Sequence, residues 1–320
     1  INVYLLKDPT GWMLVDTGLN TPDSKRLWEH IAATHLEGLP IRGLICTHMH
    51  YDHAGLAKWL CERFDIPLYM THGEYFMMRA LSQPEPDPLP AAQMRFYRRA
   101  GMPQERIDSM WRAMRKDPFM APQPRSFRRL RGGDTLKIGA REWQVVIGEG
   151  HSPEHACLYC AQDQILVAGD QVLPRISSNV LVTGIEPEAN PLQLWFNSLN
   201  LLDQLAPDAL VLPSHERVFR GLHARTQELR EHHEHQFVLL RAHLEENAVC
   251  SAFEAMLCLF PRLRGPVDDM LALGEAIAHL SWMCQAGELS RVLDEEGVYR
   301  FRLSEALVAS PSDYLNLKLA

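Results

Sequence analysis

Six consecutive residues, His48-Met49-His50-Tyr51-Asp52-His53, restrict what this chain can be more than any other feature of its 320 residues. They place three imidazoles and a carboxylate side by side. Packing has no use for that density, whereas neutral imidazole and carboxylate are ligands for zinc and similar divalent cations. The run before them, 41–46, reads as a short buried strand, and the run after them, 56–64, as a helix. The cluster therefore falls on a strand-to-helix loop, where α/β proteins place their chemistry. In an extended loop, residues two apart point the same way. His48 and His50 can then grip one cation, while Asp52 and His53, at the turn, face a second.

This H-x-H-x-D-H spacing resembles the signature of the metallo-β-lactamase superfamily. The resemblance implies three further ligands in a fixed order, and the sequence supplies them. His151 stands in Gly150-His151-Ser152-Pro153-Glu154-His155, Asp170 ends Val167-Ala168-Gly169-Asp170, and His215 ends Val211-Leu212-Pro213-Ser214-His215. The fold implied is an α/β metallo-β-lactamase αββα sandwich. In it His48, His50 and His151 hold one metal, Asp52, His53 and His215 hold a second, and Asp170 bridges. Two Zn2+ ions are the default for this donor set, with iron or manganese compatible with it. Two such ions ~3.5–4 Å apart would share a water and lower its pKa towards ~7. Asp52 would orient the resulting hydroxide. Asp16, in Asp16-Thr17-Gly18, is either a turn aspartate or, as the resemblance implies, a carboxylate supporting the metal-binding loop from behind. Glu216 follows His215 where many relatives carry glycine.

Around these residues the pattern is strand and helix in alternation. Residues 1–6 and 12–15 read as a hairpin, 23–36 as a helix and 67–70 as a strand. A hairpin follows over 135–146, then strands over 156–160 and 164–168, a helix over 191–205 and a strand over 209–212. Two stretches depart from this rhythm. Residues 79–131 begin with a proline-rich link, 84–90, and continue as helices around 91–100 and 104–116. This stretch carries twelve bases and five acids, hence +7 against −15 for the rest of the chain. A basic helical insert on an acidic protein suggests a lid for an anionic substrate, with Arg95, Arg98 and Arg99 as substrate contacts; the alternative is a solvated face whose arginines pair with acidic neighbours. The aromatics Phe96, Tyr97, Trp111 and Phe119 pack the insert or line an acyl or ring pocket. Arg175 and Asn179, in the loop leaving Asp170, are further candidate contacts.

The second departure follows His215. A polar helix over 221–246, helices over 250–260 and 267–287, and a hairpin over 291–302 suggest a winged-helix-like module, similar to one attached to some glyoxalase-II-like and endoribonuclease members of the superfamily. The expected division is a catalytic domain over 1–220, with 79–131 as its insert, and a C-terminal domain over 221–320. His232, His233 and His235 on the first of these helices read as a solvated face rather than a metal cluster. The helix that would read nucleic acid carries Asp268, Asp269 and Glu275 and no base before Arg291, so the module is expected to pack or to dimerise the chain, not to bind nucleic acid.

Composition sets the remaining bounds. Hydrophobic residues at 46% and charged residues at 22% describe a globular chain, and no apolar run spans a bilayer. A net charge of −8 argues against a general polyanion binder. Seven cysteines without framework spacing suggest reduced thiols and a cytoplasmic setting. Cys157 and Cys160 read as buried small hydrophobes. The chain opens at Ile1 in mid-pattern, which leaves a removed signal peptide open. The expected function is hydrolysis of an ester or thioester with an anionic portion, on a small-molecule substrate. Phosphodiester cleavage by an endoribonuclease of the same fold is the alternative, and a mononuclear iron persulfide dioxygenase the next. A bridging aspartate matches glyoxalase-II-like members and is absent from true β-lactamases.

Overall fold

The structure is a computed structural model and describes residues 1–82, 88–116 and 122–304. Most of the proline-rich link, together with Asp117 and Phe119, lies outside the described residues. The chain forms two compact units. Among described residues the first takes 1–82, 122–178 and 194–229, and the second takes 88–116, 179–193 and 230–304.

The first unit contains two five-stranded sheets. In one, β1 (Tyr4–Asp8) and β2 (Gly11–Val15) form the expected hairpin, and β3 (Ile41–Ile45), β4 (Leu68–Met70) and β5 (Arg128–Arg129) continue it in parallel. In the other, β6 (Thr135–Ile138), β7 (Arg141–Gly148), β8 (His155–Cys160) and β9 (Ile165–Gly169) run antiparallel, and β10 (Leu210–Pro213) joins β9 in parallel. Alternation along the strands decides which layer each side chain enters. Val15 and Ile45 point between the sheets, into a core with Trp143, Val145, Leu158 and Val167. Their neighbours Leu14 and Leu44 point the other way, against helices α1 (Pro22–Thr34), α3 (Ala57–Phe64) and α4 (His72–Leu81), through Trp28, Leu60 and Met78. The far face of the second sheet meets α7 (Pro191–Leu202) and the turn after it, where Ser198 accepts from the Glu149 amide and the Tyr159 hydroxyl accepts from Ala206. This is the αββα order.

The helix read over 56–64 is preceded by one further turn of helix, α2 (Tyr51–Ala54), inside the histidine motif itself. Chain ends of β2, β3, β9 and β10, and the loop from β7 to β8, all deliver motif residues. The Thr47 carbonyl accepts from the Ala156 amide at 2.8 Å and ties the motif loop to the opposite sheet.

In the second unit α5 (Ala91–Arg99) and α6 (Gln104–Lys116) stand with α9 (Ala252–Leu259), α10 (Pro266–Gln285) and a hairpin of β11 (Leu289–Leu293) and β12 (Tyr299–Leu303). Ser251 and Glu254 form a reciprocal capping box that starts α9. These units cut across a linear division at 220/221. Helices α5 and α6 belong with the C-terminal helices because Ile107 and Met110 are buried, Arg106 pairs with Asp269 at 3.0 Å, and the Ala100 carbonyl accepts from Phe253. The chain passes from one unit to the other within α8 (Leu222–Asn247). His232 and His235 are exposed on α8 as expected, but His233 is fully buried against His279 of α10. A helix turns about 100° per residue, so one histidine of the three faces inward.

Candidate metal centre

Asp16 follows β2 directly with φ of 64°, a left-handed conformation that turns its carboxylate back under the motif loop. It accepts from the Thr47 amide at 2.7 Å, from the Thr47 hydroxyl at 2.9 Å and from His53 Nδ1 at 2.9 Å. These bonds fix two tautomers. Since the Thr47 hydroxyl spends its proton on Asp16, its oxygen accepts from His48 Nδ1, 3.0 Å away, and His48 Nε2 is left as a lone pair. His53 donates from Nδ1 directly to Asp16 and presents Nε2 forward. One buried carboxylate thus aims an imidazole into each of two donor groups.

The first group is His48, His50, His151 and Asp170, and the second is Asp52, His53 and His215, with ligand atoms inside each group within 4.8 Å of one another. His48 Nε2 lies 2.9 Å from His50 Nδ1 and 3.3 Å from His151 Nε2. Nitrogens sharing a tetrahedral cation at about 2.05 Å would stand about 3.3 Å apart. In the second group His215 Nε2 is 3.3 Å and His53 Nε2 3.5 Å from Asp52 Oδ2. Asp170 reaches both groups, with Oδ2 at 3.7 Å from His151 and 3.4 Å from His53, and Oδ1 at 3.5 Å from His215.

The electrostatics of the two groups differ. Burial, then neighbouring imidazoles, push His48 far below its usual value and His50 down to about 3, so both are neutral donors. Burial also opposes charge on His53, but Asp16, Asp170 and Asp52 outweigh it and hold the ring protonated well above the usual range. His215 is raised to about 9 by the Asp170 and Asp52 carboxylates, which face its Nε2 at 3.5 and 3.3 Å. Burial works against ionisation of Asp52 and Asp170, yet His215 and His53 keep both carboxylates far below the ordinary range. These two carboxylates call for positive charge beside His53 and His215. A divalent cation fits the same place. His53 Nε2 and Asp170 Oδ1 are buried without a hydrogen-bond partner, an expensive state that a cation would relieve.

Several supporting residues carried no signal in the sequence reading. Glu74, fully buried at the start of α4, accepts from the Met49 amide at 2.8 Å, the Ser152 hydroxyl at 2.6 Å and the Glu154 amide at 2.7 Å. It braces the loops of His48/His50 and of His151 together, and burial raises it to about 7 against those bonds. His155 is no ligand, because its Nε2 accepts from the Asp170 amide at 3.1 Å and so seats that residue. Gly169 must be glycine, since a Cβ would lie 2.4 Å from that same nitrogen and φ is 53°. These bonds join segments far apart in sequence, and only Gly150-His151-Ser152-Pro153-Glu154-His155 hinted at one of them. Glu216 occupies φ of 64°, which explains why glycine suits that position.

Arg175 is 82% exposed and stands 3.7 Å from Glu216. Asn179, Arg95, Arg98 and Arg99 belong to the second unit. His232, His233 and Glu275 of that unit form one more group with donor atoms within 4.8 Å.

Residues 1–215 match the metallo-beta-lactamase superfamily profile, and residues 240–304 match the metallo-beta-lactamase-like C-terminal domain. A crystal structure of a beta-lactamase domain protein from Burkholderia ambifaria superposes with a TM-score of 0.87 at 40% identity, covering 95% of this chain and 88% of that one. A metallo-beta-lactamase family protein from Thermus thermophilus gives 0.77 at 28% identity, with 94% and 93% covered. Probable metallo-hydrolase YqjP of Bacillus subtilis is 26% identical over 294 residues, 87% of this chain and 86% of its own. Acyl-coenzyme A thioesterase MBLAC2 of Gallus gallus is 26% identical over 178 residues, 53% of this chain and 57% of its own.

Proposed function

The chain belongs to the metallo-beta-lactamase superfamily, and from that premise we propose that it is a dinuclear metal-dependent hydrolase of an ester or thioester carrying an anionic portion. The observation that carries the reading is Asp170, whose carboxylate reaches both donor groups. His48, His50 and His151 would hold one divalent cation, Asp52, His53 and His215 the other, with Asp170 between them. Zinc is the default, and iron or manganese suit the same donors. When bound, the cations supply Lewis acidity at the scissile carbonyl and a nucleophile drawn from water at neutral pH.

The chain's own groups do the rest. Asp16 keeps His48 and His53 in the tautomers that present Nε2, and Glu74 and His155 hold the loops and Asp170 in place. Asp52 stays ionised, so it accepts a proton-bearing water rather than donating to it. His48 and His53 have no exposure, whereas His215 is 33% and Asp52 20% exposed, so substrate approaches on the His215–Asp52 side. The thioester preference is supported by the chicken thioesterase relative, and the anionic portion by the charge of 79–131. We read the C-terminal module as a packing or dimerising element, which the mass of the protein in solution tests. Among the described residues no helix is long and apolar enough to cross a membrane.

The test is elemental analysis of protein purified without added metal, beside hydrolysis of an acyl-CoA, an acyl-glutathione, an aryl ester, a lactone and a bis-aryl phosphodiester. Two metals per chain with ester or thioester turnover is the expected result. Turnover of the phosphodiester alone would replace the reading with a nuclease, and one iron without hydrolysis would replace it with an oxygenase.

A further inference from the structure

The second unit contains a pocket of about 130 Å³ that it builds entirely from its own segments. One wall is a face of α5, where Ala92, Phe96 and Ala100 recur at helical spacing. The floor is apolar and buried, formed by Ala252, Ile277 and Phe301. The rim is cationic. Arg95 and Arg99, four residues apart on α5, share it with Arg291 of β11. Tyr299 carries both the Arg99 guanidinium at 5.3 Å and the Arg291 guanidinium at 4.2 Å from its ring centroid. Glu188, the pocket's acid, is taken by Arg291 at 2.7 Å. Neither Arg95 nor Arg99 has an acidic partner within ion-pair distance among the described residues.

Two uncompensated guanidinium groups at i, i+4 repel each other. An anion between them turns that repulsion into attraction, and a guanidinium matches carboxylate and phosphate oxygens two at a time. A floor of methyl, methylene and ring carbons has no use for the same anion's charge but suits an apolar body. A cavity near 150 Å³ accommodates one benzene ring, so this volume admits a single ring or a short alkyl group. We infer that this pocket is a binding site for a small organic anion, a carboxylate or phosphate monoester borne on an aromatic or short aliphatic body. Its apolar end rests on Ile277 and Phe301, and its charge meets Arg95 and Arg99. Two sources share that chemistry: the anionic portion of the hydrolysed substrate, and a separate effector. The first rests on the proposed hydrolase activity and the second does not.

The experiment uses the full, metal-loaded chain and benzenesulfonate, an aryl anion that is a poor metal ligand, with binding followed by ligand NMR. Sulfate and benzyl alcohol serve as controls that lack the body and the charge. Benzenesulfonate is expected to bind at least tenfold more tightly than either. The Arg95→Gln, Arg99→Gln double variant should weaken it at least tenfold. Ala92→Phe, which fills the pocket and leaves every arginine in place, should abolish it. Equal binding of all three probes would overturn the site, as would wild-type affinity in both variants. Steady-state hydrolysis then separates the sources. A KM for a carboxylate-bearing ester that rises about tenfold relative to its neutral counterpart in the double variant assigns the pocket to substrate. Loss of benzenesulfonate binding with the KM ratio unchanged assigns it to an effector. If no ester is turned over at all, the hydrolase reading fails while the binding result stands.

Discussion

Each unit holds a histidine cluster, and the two are built on opposite principles. In the first, His48, His50, His53 and His151 converge, and a carboxylate stands behind or among them at every turn. In the second, His279 donates from Nδ1 to the Glu275 carbonyl at 2.8 Å, so its Nε2 accepts from His233 Nδ1 at 3.2 Å. There one imidazole bonds the other and the backbone, and no carboxylate takes part in either bond. Burial lowers His233 to about 2 and His279 to about 4, and raises Glu275 to about 8, so all three are neutral at pH 7. Counting donors within 4.8 Å does not separate the two clusters. What separates them is ionised carboxylate: Asp52 and Asp170 demand a cation, and a neutral Glu275 does not.

Removing that demand in the first cluster should have the largest effect. Asp170→Asn keeps the shape of the bridge but removes its charge and one of its two donor oxygens. Metal content is expected to fall below two per chain and turnover by roughly 10³-fold. Full metal content with normal turnover would remove Asp170 from its bridging role.

In the second cluster the comparison sharpens through pH. Glu275 ionises near 4.5 when unfolded and near 8 when folded, so between those values the unfolded chain binds fewer protons. Stability must therefore fall as pH rises from 4.5 to 8 and level off above it. Glu275→Gln mimics the protonated acid. Denaturant melts of the variant should match wild type at pH 4 and exceed it by roughly 2–4 kcal/mol at pH 8. Parallel pH curves for the two proteins would mean that the Glu275 carboxyl is ionised in the fold.

Smaller again is the expected effect of Asp16→Asn. The amide can accept through one oxygen only and turns its NH2 towards Thr47 or His53, which already donate. One of the two imidazoles loses its tautomer, and metal affinity should drop about 10–100-fold by competition with a chelator. An unchanged affinity would leave Asp16 with only the Thr47 turn to support.

How far these clusters were legible in the sequence follows from the same contrast. The first was readable because its ligands come from a tight loop and from strand ends, where spacing maps directly onto direction. His48, His50, Asp52, His53, His151, Asp170 and His215 all sit in such places. Its supports were hidden, because Glu74 and His155 act through backbone amides more than 10 residues distant in sequence. The second cluster was misread at His233, since a polar helix shows its inward position only when its partner, α10, is known. The anion pocket was half visible. Arg95 and Arg99 stood out as charge, but Tyr299 and Arg291 join them only through folding.

The smallest effect should come from dismantling the second cluster completely. His233→Leu alone leaves His279 Nε2 as a buried acceptor without its donor, at a cost of about 1–3 kcal/mol. Replacing both rings, His233→Leu with His279→Leu, removes donor and acceptor together and should return stability to within about 1 kcal/mol of wild type, with metal content and turnover unchanged. Such a rescue is available only where histidines serve one another. In the first cluster, deleting His48 and His50 together leaves Asp170 and His151 with the same demand for a cation and nothing further to meet it, so the double loss should be no milder than the single. If the His233–His279 double variant instead loses metal, the neutral pair is holding an ion after all, and carboxylate charge is not what distinguishes the two clusters.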